Sequence, residues 1–158
     1  MHKIAPLIAT AALVLAGCAS TSAPVSIADT TARTPSLSTL NKLIGDAGLT
    51  DTLRGAGPYT VFAPTDEAFK AVPAKTLESL SKDKEQLKAV LMYHVVPGKV
   101  VAADIKSGKT KTAQGADVVV AKAGGFVTVE EALVTQADVP ASNGVVHVID
   151  RVLIPPKR

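Results

Sequence analysis

The spacing of apolar residues changes halfway along the chain, and this change limits the possible fold more than any other feature. In the first half, Leu37, Leu40 and Ile44 recur at intervals of three and four residues, which is typical of one face of a helix. Three valine-rich segments, "ADVVVAK", "FVTVEEALVT" and "GVVHVIDRVLI", follow in the second half and favour strands. Helices followed by several short strands predict an α+β domain with an antiparallel sheet or sandwich.

Local signals place the individual elements. Gly48 follows the first helical stretch as a left-handed stop, and residues 59–63 are predicted to form a strand after the Gly57-Pro58 break. Thr65 is a good N-cap for the next helix, which Pro73 ends. The remaining predicted elements are helices over residues 76–80 and 84–93 and a hairpin turn at Gly124-Gly125.

The N-terminus has the layout of a secretory signal peptide over residues 1–17. Lys3 precedes an apolar run, residues 4–16, that is closed by small residues and is too short to span a membrane, which takes roughly 20 apolar residues. The motif Leu15-Ala16-Gly17-Cys18 resembles the lipobox of bacterial lipoproteins, which implies cleavage before the cysteine and a diacylglycerol on its thiol. Cys18 is therefore the candidate for lipidation, and the alternative is an ordinary signal peptide with an incidental cysteine.

Cysteine usage bears on both export and anchoring. Cys18 is the only cysteine of the chain, so an intramolecular disulfide is excluded. Acyl chains on this residue would hold firmly in a membrane, because each buried CH₂ contributes roughly 0.8 kcal/mol. We therefore expect an exported protein that is lipid-anchored in the cell envelope, and in the outer membrane if the host is Gram-negative.

Composition divides the remaining chain into two parts. Residues 18–35 are rich in Ser, Thr, Ala and Pro and are predicted to form a flexible tether. Residues 36–158 have the composition of one compact domain. The formal net charge is +3, and the basic residues are scattered among polar and acidic ones. Such spacing is typical of a solvated surface, so no nucleic-acid partner is expected.

Three motifs in the predicted domain resemble the fasciclin-like domain family. They are "TVFAPTDEAF" from Thr60, "YHVVPG" from Tyr93 and "NGVVHVIDRVLIPP" from Asn143. The resemblance implies a wedge-shaped β-sandwich packed against several helices. It also implies a role in adhesion or in binding protein or extracellular-matrix partners, without known catalysis. One departure is Glu130-Glu131, where relatives often have an Asn-Gly-like turn, so either the hairpin differs or a bulge replaces it.

Among the side chains in these motifs, His94 has the most possible roles: a base, a metal ligand, a partner contact or a residue of the core. Helical offsets place it on the same apolar face as Leu87 and Leu91, which predicts a core position. A buried neutral imidazole needs a donor and an acceptor, and Thr65 or Asp66 at the predicted helix start are the structural polar candidates for these partners.

The neighbours of His94 in the motifs have different expected positions. Tyr93 is rotated by about 100° on the helix and is expected at the rim of the domain. His147 alternates with Val146 and Val148 and is expected to point away from them, towards solvent.

The family resemblance also implies partner-binding candidates. The Tyr-His pair of this family is linked to adhesion, which corresponds to Tyr93 and His94 here. An Asp-Ile pair of animal relatives corresponds to Asp138 and Val139, with a mild departure at the second position. The alternative for this second pair is a turn at a strand edge before Pro140.

Other chemistry has little support in the sequence. There is no nucleophile-elbow motif for a hydrolase, no cysteine–histidine cluster for a metal and no glycine-rich phosphate loop, so no catalytic residue, metal ligand or cofactor is predicted. Phe62, Phe69 and Phe126 fit core positions, which disfavours a sugar platform of exposed rings. The leading hypothesis is a lipid-anchored binding module of the cell envelope for adhesion, matrix or biofilm contacts. The alternatives are an assembly partner of another envelope protein and a periplasmic enzyme that uses His94 or His147.

Overall fold

A computed structural model of the chain describes residues 25–156. Within these residues the chain forms six α-helices and seven β-strands. The helices are α1 (Ile27–Arg33), α2 (Ser38–Asp46), α3 (Thr50–Arg54), α4 (Asp66–Ala71), α5 (Ala74–Lys82) and α6 (Lys84–Tyr93). The strands are β1 (Tyr59–Pro64), β2 (Val95–Pro97), β3 (Gly108–Lys111), β4 (Asp117–Ala123), β5 (Phe126–Val129), β6 (Ala132–Ala141) and β7 (Gly144–Ile149). The predicted α+β class is confirmed.

The helix ends follow local signals in the sequence. The Thr65 hydroxyl accepts a hydrogen bond of 3.2 Å from the amide three residues further on and caps α4, as its position predicted. Asp83 caps α6 in the same way, by accepting from Glu85 N and Gln86 N. Gly48 follows α2 with φ +70°, the left-handed conformation that favours glycine.

One curved sheet contains all seven strands, in the order β2-β1-β7-β6-β5-β4-β3. β1 and β7 are parallel, and the other neighbouring pairs are antiparallel. The first residues of β6 pair with β5 and its later residues with β7, and its register with β7 shifts twice. Such irregularities bend a strand. The two halves of the sheet meet at β6 and enclose apolar side chains between them, which gives the sandwich.

The core consists of two apolar clusters. The first lies between the helices and the β1–β7 half of the sheet and includes Ile27, Leu40 and Leu91. The second lies between the two halves of the sheet and includes Phe62, Val118 and Val129. Because β1 and β7 have a cluster on each side, all six residues of β7 are buried.

The prediction of a flexible tether over residues 18–35 is wrong for residues 27–33, because these residues form α1, which packs into the domain. Ile27 is 0% exposed and belongs to the first core cluster. The buried Thr31 hydroxyl donates to Ala28 O at 2.8 Å, so a helix rich in hydroxyl groups buries them at little cost. Cys18, the predicted signal peptide of residues 1–17 and residues 18–24 lie outside the described residues.

The β4–β5–β6 region shows which turn Glu130-Glu131 forms, and it places Phe126 differently from the prediction. Val129 pairs with Ala132, so β5 and β6 are joined by a two-residue turn, with Glu130 at φ +54°. The hairpin is therefore kept without an Asn-Gly pair. Phe126 is 66% exposed, so its predicted core position is wrong. Val127 and Val129 point into the second cluster, and strand alternation turns Phe126 to the outer face of the sheet.

Candidate functional site

His94 lies between α6 and β2, and both of its ring nitrogens are bonded to backbone groups. Nδ1 lies 2.8 Å from Val90 O, and Leu153 N donates to Nε2 at 3.0 Å. Because Nε2 accepts from an amide, the ring proton is on Nδ1, which donates to the carbonyl. The imidazole thereby joins the last turn of α6 to a segment 59 residues further along the chain.

The environment of His94 keeps its side chain neutral. The residue is 2% exposed, in the core position that the helical spacing predicted. Burial lowers the pKa of His94 to about 4, and the hydrogen bond to Val90 only partly offsets this effect. An imidazole with both nitrogens occupied has no free lone pair to accept a proton from a substrate or to bind a metal ion.

Thr65 and Asp66 are not the partners of His94, which corrects the expectation for them. The hydroxyl of Thr65 caps its own helix. The carboxylate of Asp66 accepts from Ser38 Oγ at 2.6 Å and from Thr39 N at 2.8 Å, so it caps α2 instead. Partial burial disfavours the charged form of Asp66, but these hydrogen bonds outweigh it and the pKa is lowered. Both residues are structural, although with other partners than predicted.

Tyr93 is buried, which corrects its predicted position at the rim. It is 3% exposed and packs in the second core cluster, because the β3–β4–β5 half of the sheet covers the end of α6. Its hydroxyl lies 3.4 Å from Asp117 O, which is long for a hydrogen bond of this type. Burial raises the pKa of Tyr93, and the nearby carboxylate of Glu130 adds to this shift.

His147 is also buried, so its predicted exposure to solvent is wrong. It is 0% exposed, because the central strand β7 is covered on both faces. Asp138 N donates to its Nδ1 at 3.2 Å, so Nε2 carries the proton and donates to Val100 O at 2.8 Å. Its ring stacks on Phe62, with 5.6 Å between the ring centroids.

Asp138 and Val139 lie within β6, at the second register shift, and not in a turn before Pro140. Asp138 is exposed with φ +56°, and its carboxylate accepts from Ala102 N at 2.7 Å. Val139 is half-buried and packs on the first core cluster. The structure thus brings Asp138 together with His147, whereas His94 has other partners. Among Tyr93, His94, Asp138 and Val139, only Asp138 is exposed, and partner binding by any of them stays a prediction.

Asn143 is a polar residue whose role the sequence reading missed. Its Oδ1 accepts from Ile27 N at 2.9 Å, and its Nδ2 donates to Leu53 O and to Gly55 O. One amide therefore fixes the start of α1 and the end of α3 to the β6–β7 turn. The Asn143-Gly144 pair is a sequence signal for the turn between β6 and β7. The three distant backbone partners had no signal in the sequence.

The following Gly144 explains why that turn needs a glycine. A Cβ atom at this position would lie 1.8 Å from Tyr59 O, which is backbone of the adjacent strand β1. Only a residue without a side chain lets β7 begin beside β1 at this distance.

The surface of the described residues includes a cavity and a groove. A cavity of about 300 Å³ opens between the 100–108 segment and the sheet, with apolar Phe62 and Ile105 and the charged Lys106 and Lys109 in its lining. A groove of about 730 Å³ runs between α5, α6 and the segment 154–156.

Neither a metal site nor a membrane span is found in the part of the chain that the structure describes. Among residues 25–156, no three histidine, cysteine or acidic side chains are grouped to hold a metal ion. Over the same residues, no helix has the length and apolar composition to cross a membrane.

The fold and the motifs together define the family of this chain. Residues 35–155 match the fasciclin domain family. The chain belongs to this family, as the three motifs indicated. The fold is also that of a solved relative, the FAS1 domain pair from the insect cell adhesion molecule Fasciclin I, with a TM-score of 0.68 and 19% sequence identity. The match covers 83% of this chain and 51% of that chain.

Two relatives illustrate the similarity in sequence. Protein sll1483 of Synechocystis sp. is 44% identical over 140 residues, which cover 87% of this chain and 78% of that protein. The cell surface glycolipoprotein MPB83 of Mycobacterium bovis is 41% identical over 135 residues, which cover 82% of this chain and 60% of that protein. Relatives of this chain thus include a protein of the cell surface.

Proposed function

We propose that this chain is a lipid-anchored binding module that presents one fasciclin domain in the cell envelope for adhesion, matrix or biofilm contacts. The observation that carries the proposal is the position of Cys18. It ends a lipobox-like motif and lies only a few residues before a folded domain of this family. The domain would therefore be held at the membrane that carries the acyl chains, in the outer membrane of a Gram-negative host.

The similarity to MPB83 supports this location. That relative is named as a cell surface glycolipoprotein, and the match extends over 82% of this chain. The Fasciclin I structure comes from a cell adhesion molecule, which supports a binding role for the same fold.

The state of the two histidines supports a function in binding and not in catalysis. Both rings are buried, and both nitrogens of each ring are bonded to backbone groups. A general base needs an accessible lone pair within reach of a substrate proton. In this account, His94 and Tyr93 keep the domain folded, and partners contact exposed side chains such as Asp138.

The anchor is tested by metabolic labelling with an alkyne fatty acid in a bacterium that processes lipoproteins. The full-length protein should incorporate the label and fractionate with membranes, and the Cys18→Ser variant should do neither. Ser20→Ala is the matched control, because it changes a neighbouring residue and leaves the thiol. Equal labelling of the Cys18→Ser variant, or no labelling of the wild type, would contradict the proposal.

A second candidate function is docking on another envelope protein. The groove between α5, α6 and residues 154–156 favours it, because Ile154 is 54% exposed beside the apolar Leu80 and Val90. Crosslinking in intact cells followed by purification distinguishes the two functions. One stoichiometric envelope protein, lost in an Ile154→Asp variant, indicates an assembly partner, and its absence leaves the adhesion function.

A further inference from the structure

A segment that is neither helix nor strand, residues 99–107, lies over the second core cluster and is called here the strap. The strap connects β2 to β3, the two edge strands of the sheet. Its Ile105 is 6% exposed and belongs to the second cluster, and its Val100 packs against the same cluster. The strap therefore covers part of the space between the two halves of the sheet.

The beginning of the strap is fixed by two buried polar side chains of the sheet. Val100 N donates to Thr60 Oγ1 at 2.8 Å, and this hydroxyl donates in turn to Gly98 O at 2.7 Å. His147 Nε2 donates to Val100 O at 2.8 Å. Thr60 and His147 are both 0% exposed, so the strands β1 and β7 hold the backbone of Val100 from below.

The middle of the strap is fixed in the same way at Ala102. Its amide donates to the carboxylate of Asp138 at 2.7 Å, and its carbonyl accepts from Lys122 Nζ at 2.9 Å. Two residues of the strap thus have both backbone groups bonded to side chains of four different strands. These bonds fix the distance between the strap and the sheet, so the strap cannot settle onto the apolar side chains beneath it.

The cavity of about 300 Å³ lies under the strap. Apolar side chains of the second cluster and of the strap line it, namely Phe62, Val96, Val100, Ile105 and Val120. Asp104 and Lys106 also line it but are exposed, so their charges are in contact with water. Lys109 pairs with the outward-facing Val119, which directs its side chain to the outer face of β3. The described walls are therefore mainly apolar, and the charges lie towards solvent.

Thr110 supplies a hydroxyl group on the wall of this cavity. It pairs with the buried Val118, so its side chain is on the inner face of β3. The hydroxyl groups of Thr60 and Ser107 also line the cavity, but both are bonded to backbone groups of the strap or of β4. Thr110 therefore offers the hydroxyl that a bound molecule can reach.

The volume of the cavity limits the size of that molecule. An apolar cavity of about 150 Å³ in a protein can hold benzene. A cavity of about 300 Å³ is twice as large and takes a molecule of roughly two fused rings. Small-molecule sites in proteins begin at about this volume and combine apolar walls with a few polar groups.

We propose that the cavity under the strap is a binding site for an uncharged, apolar molecule of roughly two rings that has one hydroxyl or carbonyl group. The apolar body lies between Phe62, Ile105 and Val120, and Thr110 bonds the polar group. The hydrogen bonds that hold the strap keep this site open before the molecule arrives, which lowers the cost of binding. The site depends neither on the lipid anchor nor on the adhesion function.

The test uses 1-naphthol and naphthalene, which have two fused rings and differ by one hydroxyl group. The protein begins at residue 19 and contains the whole folded unit, because both core clusters lie within residues 25–156. Titration followed by NMR of the backbone amides measures the affinity and locates the ligand. We expect saturable shifts around Phe62, Ile105 and Val120. No binding of either compound, or shifts confined to the groove between α5 and α6, would overturn the proposal.

Two variants separate the apolar body of the site from its polar group. Val120→Phe fills the cavity and should weaken both ligands by about tenfold or more. Val119→Phe, the same change on the outer face of β4, is the matched control and should bind like the wild type. Thr110→Val keeps the shape of the side chain, so it should weaken 1-naphthol roughly fivefold and leave naphthalene unchanged.

Each variant has a result that contradicts the proposal. A folded Val120→Phe protein that binds both ligands like the wild type would overturn the site itself. If Val120→Phe does not fold, Thr110→Val decides, because an unchanged affinity for 1-naphthol would show that the ligand does not reach this wall of the cavity. Tighter binding of 1-naphthalenesulfonate than of 1-naphthol would overturn the preference for an uncharged molecule.

Discussion

At the residue scale, His94 joins two parts of the chain through hydrogen bonds to two backbone groups, Val90 O and Leu153 N. Substitution of His94 by Ala would leave Leu153 N and Val90 O buried without their hydrogen bonds. We expect the free energy of unfolding to fall by about 1–3 kcal/mol and the Tm by several degrees. Urea and thermal unfolding of the purified protein measure both. Lys88→Ala, an exposed change on the same helix, is the control, and its free energy of unfolding should stay within about 0.5 kcal/mol of the wild type. Equal losses for the two variants would contradict the structural role of His94.

For Tyr93, we expect loss of the whole ring and loss of the hydroxyl alone to have different effects on stability. Tyr93→Ala removes a buried ring from the second core cluster and should cost about 3–5 kcal/mol. Tyr93→Phe removes only a hydroxyl whose contact with Asp117 O is 3.4 Å, and it should cost less than about 1 kcal/mol. Chemical denaturation of both variants measures the difference. A Tyr93→Ala protein as stable as the wild type would mean that the ring is not part of the core.

The depressed pKa of His94 predicts how stability depends on pH. The pKa is lowered from 6.5 to about 4 in the folded protein, so between these values the unfolded chain binds more protons. The stabilisation that the neutral His94 gives to the folded protein is fully present above pH 6.5. It is lost as the pH falls towards 4, by roughly 3 kcal/mol in total. Urea unfolding from pH 7 to 4.5 should show this loss in the wild type. The His94→Ala variant should not show this loss, so plots of unfolding free energy against pH for the variant and the wild type should converge at low pH. Parallel plots would contradict the assignment of this pH dependence to His94.

Sequence reasoning located His94 but not its partners, and the reason is physical. The helical offsets of His94 from Leu87 and Leu91 are local, and they predict the core side of α6 correctly. The donor Leu153 N is a backbone group after the last strand, and its position depends on the whole sheet. The sequence predicts Tyr93 and His147 nearer to solvent, because the pattern of a single helix or strand indicates only one covered face. Both are buried by the second half of the sheet.

At the element scale, Asn143 holds α1 and α3 against the β6–β7 turn through three hydrogen bonds. Asn143→Ala removes all three, and we expect a loss of about 1–3 kcal/mol together with faster hydrogen exchange of the α1 amides. Asn143→Asp keeps the acceptor for Ile27 N but sets a carboxylate oxygen against Leu53 O and Gly55 O, so it should destabilise the end of α3 at least as much as Asn143→Ala does. Exchange measured by mass spectrometry reports each peptide separately. Unchanged exchange over residues 27–33 in Asn143→Ala would show that α1 does not depend on this residue.

The elements themselves were predictable where their signals are local. Thr65, Gly48 and the period of the apolar residues indicate α2, α4, α5 and α6, and Gly124-Gly125 indicates a hairpin, whereas the short helix α3 has no such signal. The parallel pairing of β1 with β7 was not predictable, because it joins residues more than 80 positions apart. The Ser- and Thr-rich composition of α1 resembles that of disordered segments and therefore predicts a tether where the structure has a helix. Its hydroxyl groups are satisfied by its own backbone, which composition does not reveal.

At the scale of the whole molecule, the short distance in sequence between Cys18 and α1 would leave the domain little freedom above a membrane. The proposed binding function then depends on both parts, the anchor and a folded domain.

The most direct test of this account is the adhesion of cells that lack the gene, measured as attached biofilm mass. The account predicts that deletion reduces attachment, that the wild-type gene restores it, and that Cys18→Ser does not, although its domain is folded and exported. Asp138→Asn keeps an oxygen that accepts from Ala102 N and removes only the charge, so it should stay in the membrane fraction, and reduced attachment by this variant would indicate that the carboxylate contacts the partner. A deletion strain that attaches as well as the parent strain on every surface tried would contradict the account.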